Sequence, residues 1–318
     1  MHNIFINSVG RLRSGWRSVI FFSLCFVFTI LSAQIFGFAL SLTAEPLTFL
    51  TGSPRFVVQS LVLMFAALLA GWICARGIEG LPFRSLGLNF HRRWWLNFLL
   101  GSLIGATTLT LSAFIASVFG RLTFDLNLSA NFASISKTLL ISLIIFILGA
   151  LAEETIFRGY GLQTFVRARL AWVGIATTSA LFAFVHADNP NLAPLSLFNT
   201  LIAGIWFAIA YSKTRSLWFP LGLHWAWNWM MSAILGLPVS GITEITPEPL
   251  LRGIDSGPEW ITGGQYGIEG GAACTIVLIV STLFFWLMPY LKPTLTMLDL
   301  TDGENPKREM TDQNQVSI

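Results

Sequence analysis

Charged residues are scarce in this sequence, since Asp, Glu, Lys and Arg make up only 11% of its 318 residues. A soluble domain carries about 25%, and here 54% of the residues are hydrophobic with a mean hydropathy of +0.69. This composition excludes an ordinary soluble protein and predicts an all-α fold, a polytopic bundle of membrane helices surrounded by lipid. The net charge of +3 is too small to indicate a nucleic-acid partner.

Cysteine is also rare. The three cysteines, Cys25, Cys74 and Cys274, stand alone within apolar stretches. Their spacing excludes a disulfide framework and a cysteine-based metal cluster. We expect them to be small apolar residues that face lipid or the protein core.

Long apolar runs, by contrast, are abundant. A hydrocarbon core of about 30 Å requires about 20 apolar residues per helix. Arginines precede the first run as in a secretory signal, but the run exceeds the usual signal core of about 7–15 residues, so we expect an uncleaved span. Eight spans are predicted: Val19–Leu42, Phe56–Ala75, Trp95–Phe119, Thr138–Phe157, Ala171–Ala187, Pro194–Tyr211, Leu217–Leu235 and Ala272–Leu291.

The distribution of positive charge supports this count. If the N-terminus is cytoplasmic and the chain alternates, only Arg55, Arg121, Lys137 and Arg252 of the 19 Lys and Arg residues fall outside. Because positive residues concentrate in cytoplasmic loops, both termini are expected to be cytoplasmic, in a cell membrane such as the bacterial inner membrane. We divide the chain into a transmembrane bundle (1–297), with an irregular outer loop at 236–271, and a disordered cytoplasmic tail (298–318).

Two adjacent glutamates, Glu153 and Glu154, end the fourth apolar run. A carboxylate at membrane depth costs a few kcal/mol and indicates a functional site. Glu154 and Arg158 are four residues apart on one helical face, so they can pair. Glu153 is rotated by about 100° from Glu154 and is left without a local counter-ion.

Two further spans carry polar side chains at helical spacing. His224 and Asn228 share one face, and so do Phe182 and His186. Three helices could therefore bring together a carboxylate, two imidazoles and an amide, which are the groups that hydrolytic acyl transfer requires. Taken singly, each has a structural explanation: Glu154 as half of an ion pair, His186 at the membrane interface, and His224 in an aromatic belt.

The role of a metal stays open from the residues alone. There is no HExxH motif, but Glu153, His186 and His224 could form an open three-ligand site for a divalent metal such as zinc. Equally, Glu153 and His186 could activate water without metal, while His224 and Asn228 bind the oxyanion.

The ordered motifs Glu-Glu-x-x-x-Arg at 153–158, Phe-x-x-x-His at 182–186 and His-x-x-x-Asn at 224–228 resemble the signatures of the CAAX prenyl endopeptidase and bacteriocin-processing (CPBP, Abi) family of intramembrane proteases. The resemblance covers residues 138–235. It implies an intramembrane metalloendopeptidase that acts on a membrane-bound or lipidated protein or peptide. Glu153 would activate water, Glu154 and Arg158 would support the site, and His186, His224 and Asn228 would bind metal or oxyanion.

The predicted spans place Glu153 towards the cytoplasm and His186 towards the outside. We therefore expect the fourth helix to continue to about Arg167, and a water-filled cavity to reach Glu153. Two alternatives remain: a non-catalytic immunity or scaffold protein of the same fold, and a proton-coupled transporter that uses the carboxylates. No inverted repeat of the kind common in transporters is visible.

Overall fold

The computed structural model describes residues 4–8, 10–41 and 53–302. Its main helices are α1 (Ser14–Ser41), α2 (Ser53–Ile73), α3 (Trp94–Gly120), α4 (Phe132–Arg167), α5 (Ala171–Val185), α6 (Pro194–Thr214), α7 (Trp218–Trp229), α8 (Ala272–Leu287) and α9 (Leu295–Thr301). Shorter pieces are the π-helical turns Cys74–Ile78, Thr155–Gly161 and Met230–Ile234, the 3₁₀ turns Phe83–Leu86, Gly264–Tyr266 and Ile268–Gly270, and the single turn Glu259–Thr262.

Each of the eight predicted spans has a helix, α1 to α8, at its place in the chain. Within the described residues, α1 to α4 and α6 are long and apolar enough to cross a membrane, whereas α5 and α8 are shorter apolar helices. Large apolar side chains such as Phe26, Leu103 and Phe184 are exposed on the outside of the bundle, as expected for a surface in contact with lipid. The all-α polytopic membrane bundle is confirmed; Leu42, the predicted end of the first span, lies outside the described residues.

Helix α4 is longer than its predicted span. The Asn131 side chain caps it by accepting a hydrogen bond from the Ser134 amide at 2.8 Å, and the helix then runs for 36 residues to Arg167. The predicted end at Phe157 is therefore wrong, and the expected continuation to Arg167 is confirmed. A π-helical turn begins directly after Glu154, and Gly159 within it has a non-helical ψ of −109°. Such turns recur at functional sites.

Glycines bring α3 and α7 into backbone contact. A Cβ atom on Gly101 or Gly105 would overlap a carbonyl oxygen of α7, and one on Gly222 would overlap the Phe98 carbonyl oxygen of α3. Small residues permit this close approach between membrane helices. The packing fixes α7, which carries His224 and Asn228, against a helix outside the motif-bearing core.

The outer loop at 236–271 is not irregular throughout. Its residues Leu251–Asp255 form strand β2, which pairs antiparallel with β1 (Leu122–Leu126), with Leu122 opposite Asp255. Asn127, directly after β1, donates hydrogen bonds to the Pro249 carbonyl at 3.0 Å and to Glu248 at 2.9 Å. The expectation of an irregular cap is wrong because its order comes from pairing with a segment 125 residues earlier, which has no local sequence signal.

The start of the predicted disordered tail is helical. The Thr294 hydroxyl accepts a hydrogen bond from the Met297 amide at 3.3 Å, and α9 follows with Met297 and Thr301 fully buried. Residues 298–301 thus pack on the bundle, while residues 303–318 lie outside the described residues.

The three cysteines are free and buried, so they belong to the core rather than to a lipid-facing surface.

Candidate active site

Glu154 lies at the centre of a buried polar network. Its carboxylate is fully buried, and its Oε1 atom accepts hydrogen bonds from Arg158 Nη1 at 3.1 Å and from His224 Nδ1 at 2.9 Å. The pairing with Arg158 is the one that the four-residue spacing predicts. The bond to His224 was not predicted, and it joins α4 to α7.

Arg158 is held through its two Nη atoms and by aromatic rings, while its Nε atom has no hydrogen-bond partner among the described residues. Its Nη2 donates to the Gly204 carbonyl at 3.1 Å, and the guanidinium lies 4.6 Å from the ring centre of Phe182 and 5.0 Å from that of Phe207. Aromatic faces attract a cation, and more strongly where water is excluded. These contacts hold the Arg158 guanidinium in place, and it in turn fixes the Glu154 carboxylate.

His224 lies between the two glutamates. Its ring stacks on Phe207 at 4.5 Å with an angle of 21°. Because Glu154 is paired with Arg158 and accepts the bond, we assign a proton to His224 Nδ1. The other nitrogen, Nε2, then points to Glu153, whose Oε2 atom lies 3.7 Å away. A buried acceptor that orients a histidine in this way fixes which nitrogen faces the reactive side.

Glu153 has a different environment from its neighbour. Its side chain is 32% exposed. No described residue forms a hydrogen bond with its buried Oε2 atom, which is also true of Glu154 Oε2. A buried polar atom without a partner calls for an explanation such as a catalytic role or bound water. The absence of a local counter-ion, predicted from helical phase, agrees with this geometry.

His186 ends α5 and is oriented by its own helix. Its Nδ1 donates to the Phe182 carbonyl at 2.7 Å, and the two rings lie 4.5 Å apart. This bond leaves Nε2 of His186 as an acceptor in the neutral ring. Asn228 lies one turn beyond His224, and both face the same cavity as Glu153 and His186.

The cavity has a volume of about 660 Å³, a size typical of ligand sites. Glu153, His186, His224 and Asn228 all line it, so the structure brings together the four predicted catalytic residues. Apolar side chains form most of its remaining wall, among them Phe146, Phe157, Val185, Trp206 and Leu278. A cavity reaches Glu153 as predicted, and most of its wall is apolar.

Sequence reasoning missed one acidic residue of this cavity, Glu269. Its carboxylate accepts hydrogen bonds from Trp227 Nε1 at 2.9 Å and from the Ser240 amide and hydroxyl at 2.8 and 2.7 Å. Asn199 donates to its backbone carbonyl at 2.8 Å. Glu269 was placed in the outer loop on the basis of its glycine-rich surroundings. Only the fold shows that this loop closes the cavity.

The three residues predicted as metal ligands are not assembled as a ligand set. Within the described residues, no group of three His, Cys, Asp or Glu side chains is close enough to hold an ion. Glu153 and His224 approach each other, whereas His186 lies at the end of another helix. As they are placed, these residues do not fit a three-ligand metal centre.

Comparison with known proteins agrees with this arrangement. Residues 135–230 match the model of the family described as type II CAAX prenyl endopeptidase Rce1-like. The chain is also 37% identical over 107 residues to an uncharacterized 24.3 kDa protein of Escherichia coli. That alignment covers 33% of this chain and 46% of the relative, so the chain spans about half the length of the relative that it matches. The protein is thus a multi-pass membrane protein whose residues 135–230 are similar to the Rce1-like family of type II CAAX prenyl endopeptidases.

Proposed function

We propose that the protein is an intramembrane endopeptidase that hydrolyses a peptide bond in a membrane-associated protein or peptide. The observation that carries the proposal is the position of Glu153: its side chain is 32% exposed at a largely apolar cavity, and its Oε2 atom lies 3.7 Å from an oriented imidazole. A general base needs such a position, because its lone pairs have to receive a proton from water.

The proposed reaction assigns one role to each of these groups. Glu153 removes a proton from a water molecule, which His186 Nε2 holds by accepting its second hydrogen. The resulting hydroxide attacks the carbonyl carbon, and His224 and Asn228 donate hydrogen bonds to the developing oxyanion. Glu153 then passes its proton to the leaving nitrogen as the C–N bond breaks. The products are a carboxylate and an amine.

The oxyanion role requires the form of His224 that carries a proton on each nitrogen, with Nδ1 donating to Glu154. Its Nε2 proton faces the cavity, and at 3.7 Å Glu153 is too distant to bind it tightly. A substrate oxygen can therefore take that proton as its partner.

The substrate class follows from the cavity and from the family. The apolar wall and the membrane location favour a membrane-bound or lipidated chain, as in CAAX-type processing or in the maturation of a bacteriocin-like peptide. A cell membrane, such as the bacterial inner membrane, is the proposed location.

A divalent metal such as zinc stays a prediction, and the reaction above passes through none. Metal analysis of the purified protein, with His186→Ala and His224→Ala as comparisons, tests it directly.

Peptide profiling of membranes tests the proposal. Membranes from cells that express the wild-type protein or Glu153→Gln are compared by mass spectrometry for new peptide ends. Loss of a general base typically lowers a rate by about 10²–10⁴-fold, so cleavage products present with the wild-type protein should disappear with Glu153→Gln at equal expression.

Gln59→Ala is the matched control. Gln59 lines the same cavity from α2 but lies outside the three motifs, so this variant should keep the wild-type set of cleavage products. If Glu153→Gln produces the same peptide ends as the wild-type protein, Glu153 is not the base and the proposed mechanism is wrong.

A further inference from the structure

The active-site cavity carries a second carboxylate that the proposed reaction does not use. Glu269, from the outer loop, lines the cavity together with Glu153. It lies outside the three motifs and outside residues 135–230, which match the family model. Because a few polar groups in a mostly apolar cavity typically fix the orientation and identity of a ligand, Glu269 is a candidate for substrate recognition.

The charge of Glu269 is not balanced by a neighbouring cation. Among the described residues that line the cavity there is no Lys or Arg, and no ion pair joins Glu269 to a described Lys, Arg or His. A proton on each nitrogen of His224 would place its charge against Glu153 and Glu154, at 3.7 and 2.9 Å. A low-dielectric cavity lined by negative charge attracts a cation.

Neutral groups hold the Glu269 carboxylate at the cavity wall. Oε1 accepts a hydrogen bond from Trp227 Nε1 at 2.9 Å, and Oε2 accepts from the Ser240 amide and hydroxyl at 2.8 and 2.7 Å. Trp227 and Ser240 themselves line the cavity. A carboxylate has about four acceptor positions, and these bonds occupy three of them. The carboxylate therefore keeps its negative charge and one acceptor position for a ligand.

The backbone of Glu269 is also fixed. Asn199 of α6 donates to its carbonyl oxygen at 2.8 Å, and Glu269 lies in the 3₁₀ turn Ile268–Gly270. A Cβ atom on Gly267, the residue before this turn, would lie 2.1 Å from the Pro238 carbonyl oxygen, so the turn packs closely on the start of the outer loop. A charge that is already in place lowers the ordering cost of binding.

Trp227 relates this charge to the proposed catalytic residues. On α7 it follows His224 by three residues and directly precedes Asn228, and all three line the same cavity as Glu269. The carboxylate is therefore bonded to the same helical turn that would hold the oxyanion. A peptide bound there shares one cavity with Glu269.

We propose that Glu269 binds a basic side chain, Lys or Arg, of the peptide substrate. This inference rests on the proposed peptidase function and adds a substrate class to it: a membrane-associated peptide with a basic residue near the bond that is hydrolysed. Lys and Arg donate charge-assisted hydrogen bonds to carboxylates, and exclusion of water strengthens the attraction. A neutral side chain at that position lacks this interaction, and an acidic one is repelled.

Peptide binding to the full-length Glu153→Gln protein tests the proposal without cleavage, because Glu269 is then the remaining carboxylate among the described residues that line the cavity. The probes are fluorescent N-palmitoylated Leu-Ala peptide amides that differ only in a central Lys, Gln or Glu. Their affinities are measured by fluorescence anisotropy in an uncharged detergent. The Lys peptide should bind about tenfold tighter than the Gln peptide, and the Glu peptide should bind more weakly than both. Equal affinities of the three peptides would overturn the proposal.

A second substitution in the same background separates charge from structure. Glu269→Gln should remove the preference for Lys while the Gln peptide binds as before. If Glu269 only anchored the outer loop, the affinities of all three peptides would fall together. Because the peptide series is also measured with Glu269 present, the proposal stays testable without a folded Glu269→Gln variant.

Glu259→Gln is the matched control. Glu259 is an exposed carboxylate of the same loop that does not line the cavity, so its removal should keep the full preference for Lys. Retention of this preference by Glu269→Gln, or an equal loss with Glu259→Gln, would contradict the proposed role of Glu269.

Cleavage distinguishes this inference from the proposed function. The peptide ends that depend on Glu153 in membrane profiling should have Lys or Arg close to the cleaved bond. Glu153-dependent ends without nearby basic residues would contradict the inference and leave the peptidase function standing. A preference for the Lys peptide without any Glu153-dependent cleavage would contradict the peptidase function and leave a binding site for a basic side chain.

Discussion

Glu153 and Glu154 are neighbours in the chain, but their carboxylates have opposite surroundings. Glu154 is fully buried and binds Arg158 and His224, while the Glu153 side chain is 32% exposed at the cavity. Neutralising Glu154 leaves a buried arginine without its counter-charge, which costs about 3–5 kcal/mol. We therefore expect Glu154→Gln to lower the free energy of unfolding by about that amount, and Glu153→Gln to leave it unchanged or raise it slightly. Denaturant titration of both variants in one detergent measures the difference.

The cleavage activity of the same two variants provides a second comparison. Glu153→Gln should remove cleavage while the fold persists, whereas Glu154→Gln should lose cleavage together with stability. A Glu153→Gln protein that unfolds as readily as Glu154→Gln would show that the two carboxylates have the same structural role. The assignment of Glu153 as the base would then lose its main support.

His91 provides a pH-dependent contribution outside the membrane-spanning segments. It is 5% exposed, and its Nδ1 accepts from the Arg93 amide at 3.3 Å while Nε2 donates to Ser216 Oγ at 3.2 Å. Burial lowers the pKa of this imidazole below its usual 6.5. The folded protein therefore favours the neutral ring, and stability is complete above pH 6.5 and decreases as the pH falls from 6.5 through the lowered pKa. Melting temperatures between pH 8 and pH 5 should show this decrease.

The comparison for His91 is His91→Gln, which keeps a polar side chain but does not titrate. Its melting temperature should change less than that of the wild-type protein between pH 6.5 and pH 5, even if the variant is less stable at pH 8. Equal slopes for the two proteins would contradict a role for His91.

For single residues, the sequence predicts a contact when both partners lie on the same helix. The Glu154–Arg158 pair and the contact of Phe182 with His186 follow from the four-residue spacing within one helix. The bond between Glu154 and His224 spans 70 residues, and the bonds of Glu269 reach across the outer loop. Such contacts depend on how helices pack, and a single sequence carries no periodic signal for them.

At the scale of elements, the contact between α3 and α7 determines where His224 stands. A methyl group on Gly222 would overlap the Phe98 carbonyl oxygen and approach the Ser102 nitrogen at 2.8 Å. Backbone atoms cannot turn aside as a side chain can, so α7 would have to move. We expect Gly222→Ala to destabilise the bundle by about 1–3 kcal/mol and to reduce cleavage beyond the loss of folded protein, because His224 lies two residues away. Thermal unfolding and cleavage per folded molecule measure the two effects.

Gly37→Ala is the control for this packing, because a Cβ atom there would meet nothing within 4 Å. It should leave both stability and cleavage near wild-type values. A Gly222→Ala protein that matches Gly37→Ala in both measurements would show that α3 does not position the site.

The existence of the helices follows from apolar runs of the right length, and all eight were predicted at their places. Their ends were harder to predict. Helix α4 continues to Arg167 through a π-helical turn with a non-helical Gly159, although its residues after Phe157 include Arg158 and Gln163, which hydropathy places outside the membrane. These side chains are buried in protein, with Gln163 Nε2 bonded to the Ser85 carbonyl. Hydropathy does not distinguish burial in protein from exposure to water.

At the scale of the whole molecule, two cavities are bounded by different segments of the chain. The active-site cavity is bounded by the outer-loop residues Ser240, Ile242 and Glu269, whereas a second cavity of about 1200 Å³ lies between the start of α1 and α5. The two meet at Phe22 and Leu181.

The orientation of the bundle is the remaining prediction from charge. Positive-inside statistics place the segment with Arg92 in the cytoplasm and the outer loop with Glu259 on the other side. Both residues are exposed, so a cysteine at either position can react with a label. The three native cysteines are buried and are replaced by Ser. Arg92→Cys and Glu259→Cys are then each made in this background. In intact cells, a membrane-impermeant maleimide should label Glu259→Cys and leave Arg92→Cys unlabelled until the membrane is opened. The reverse pattern would invert the bundle and place the segment with Arg92 outside. Labelling of both variants in intact cells would place 92 and 259 on one side, which contradicts the eight-span alternation.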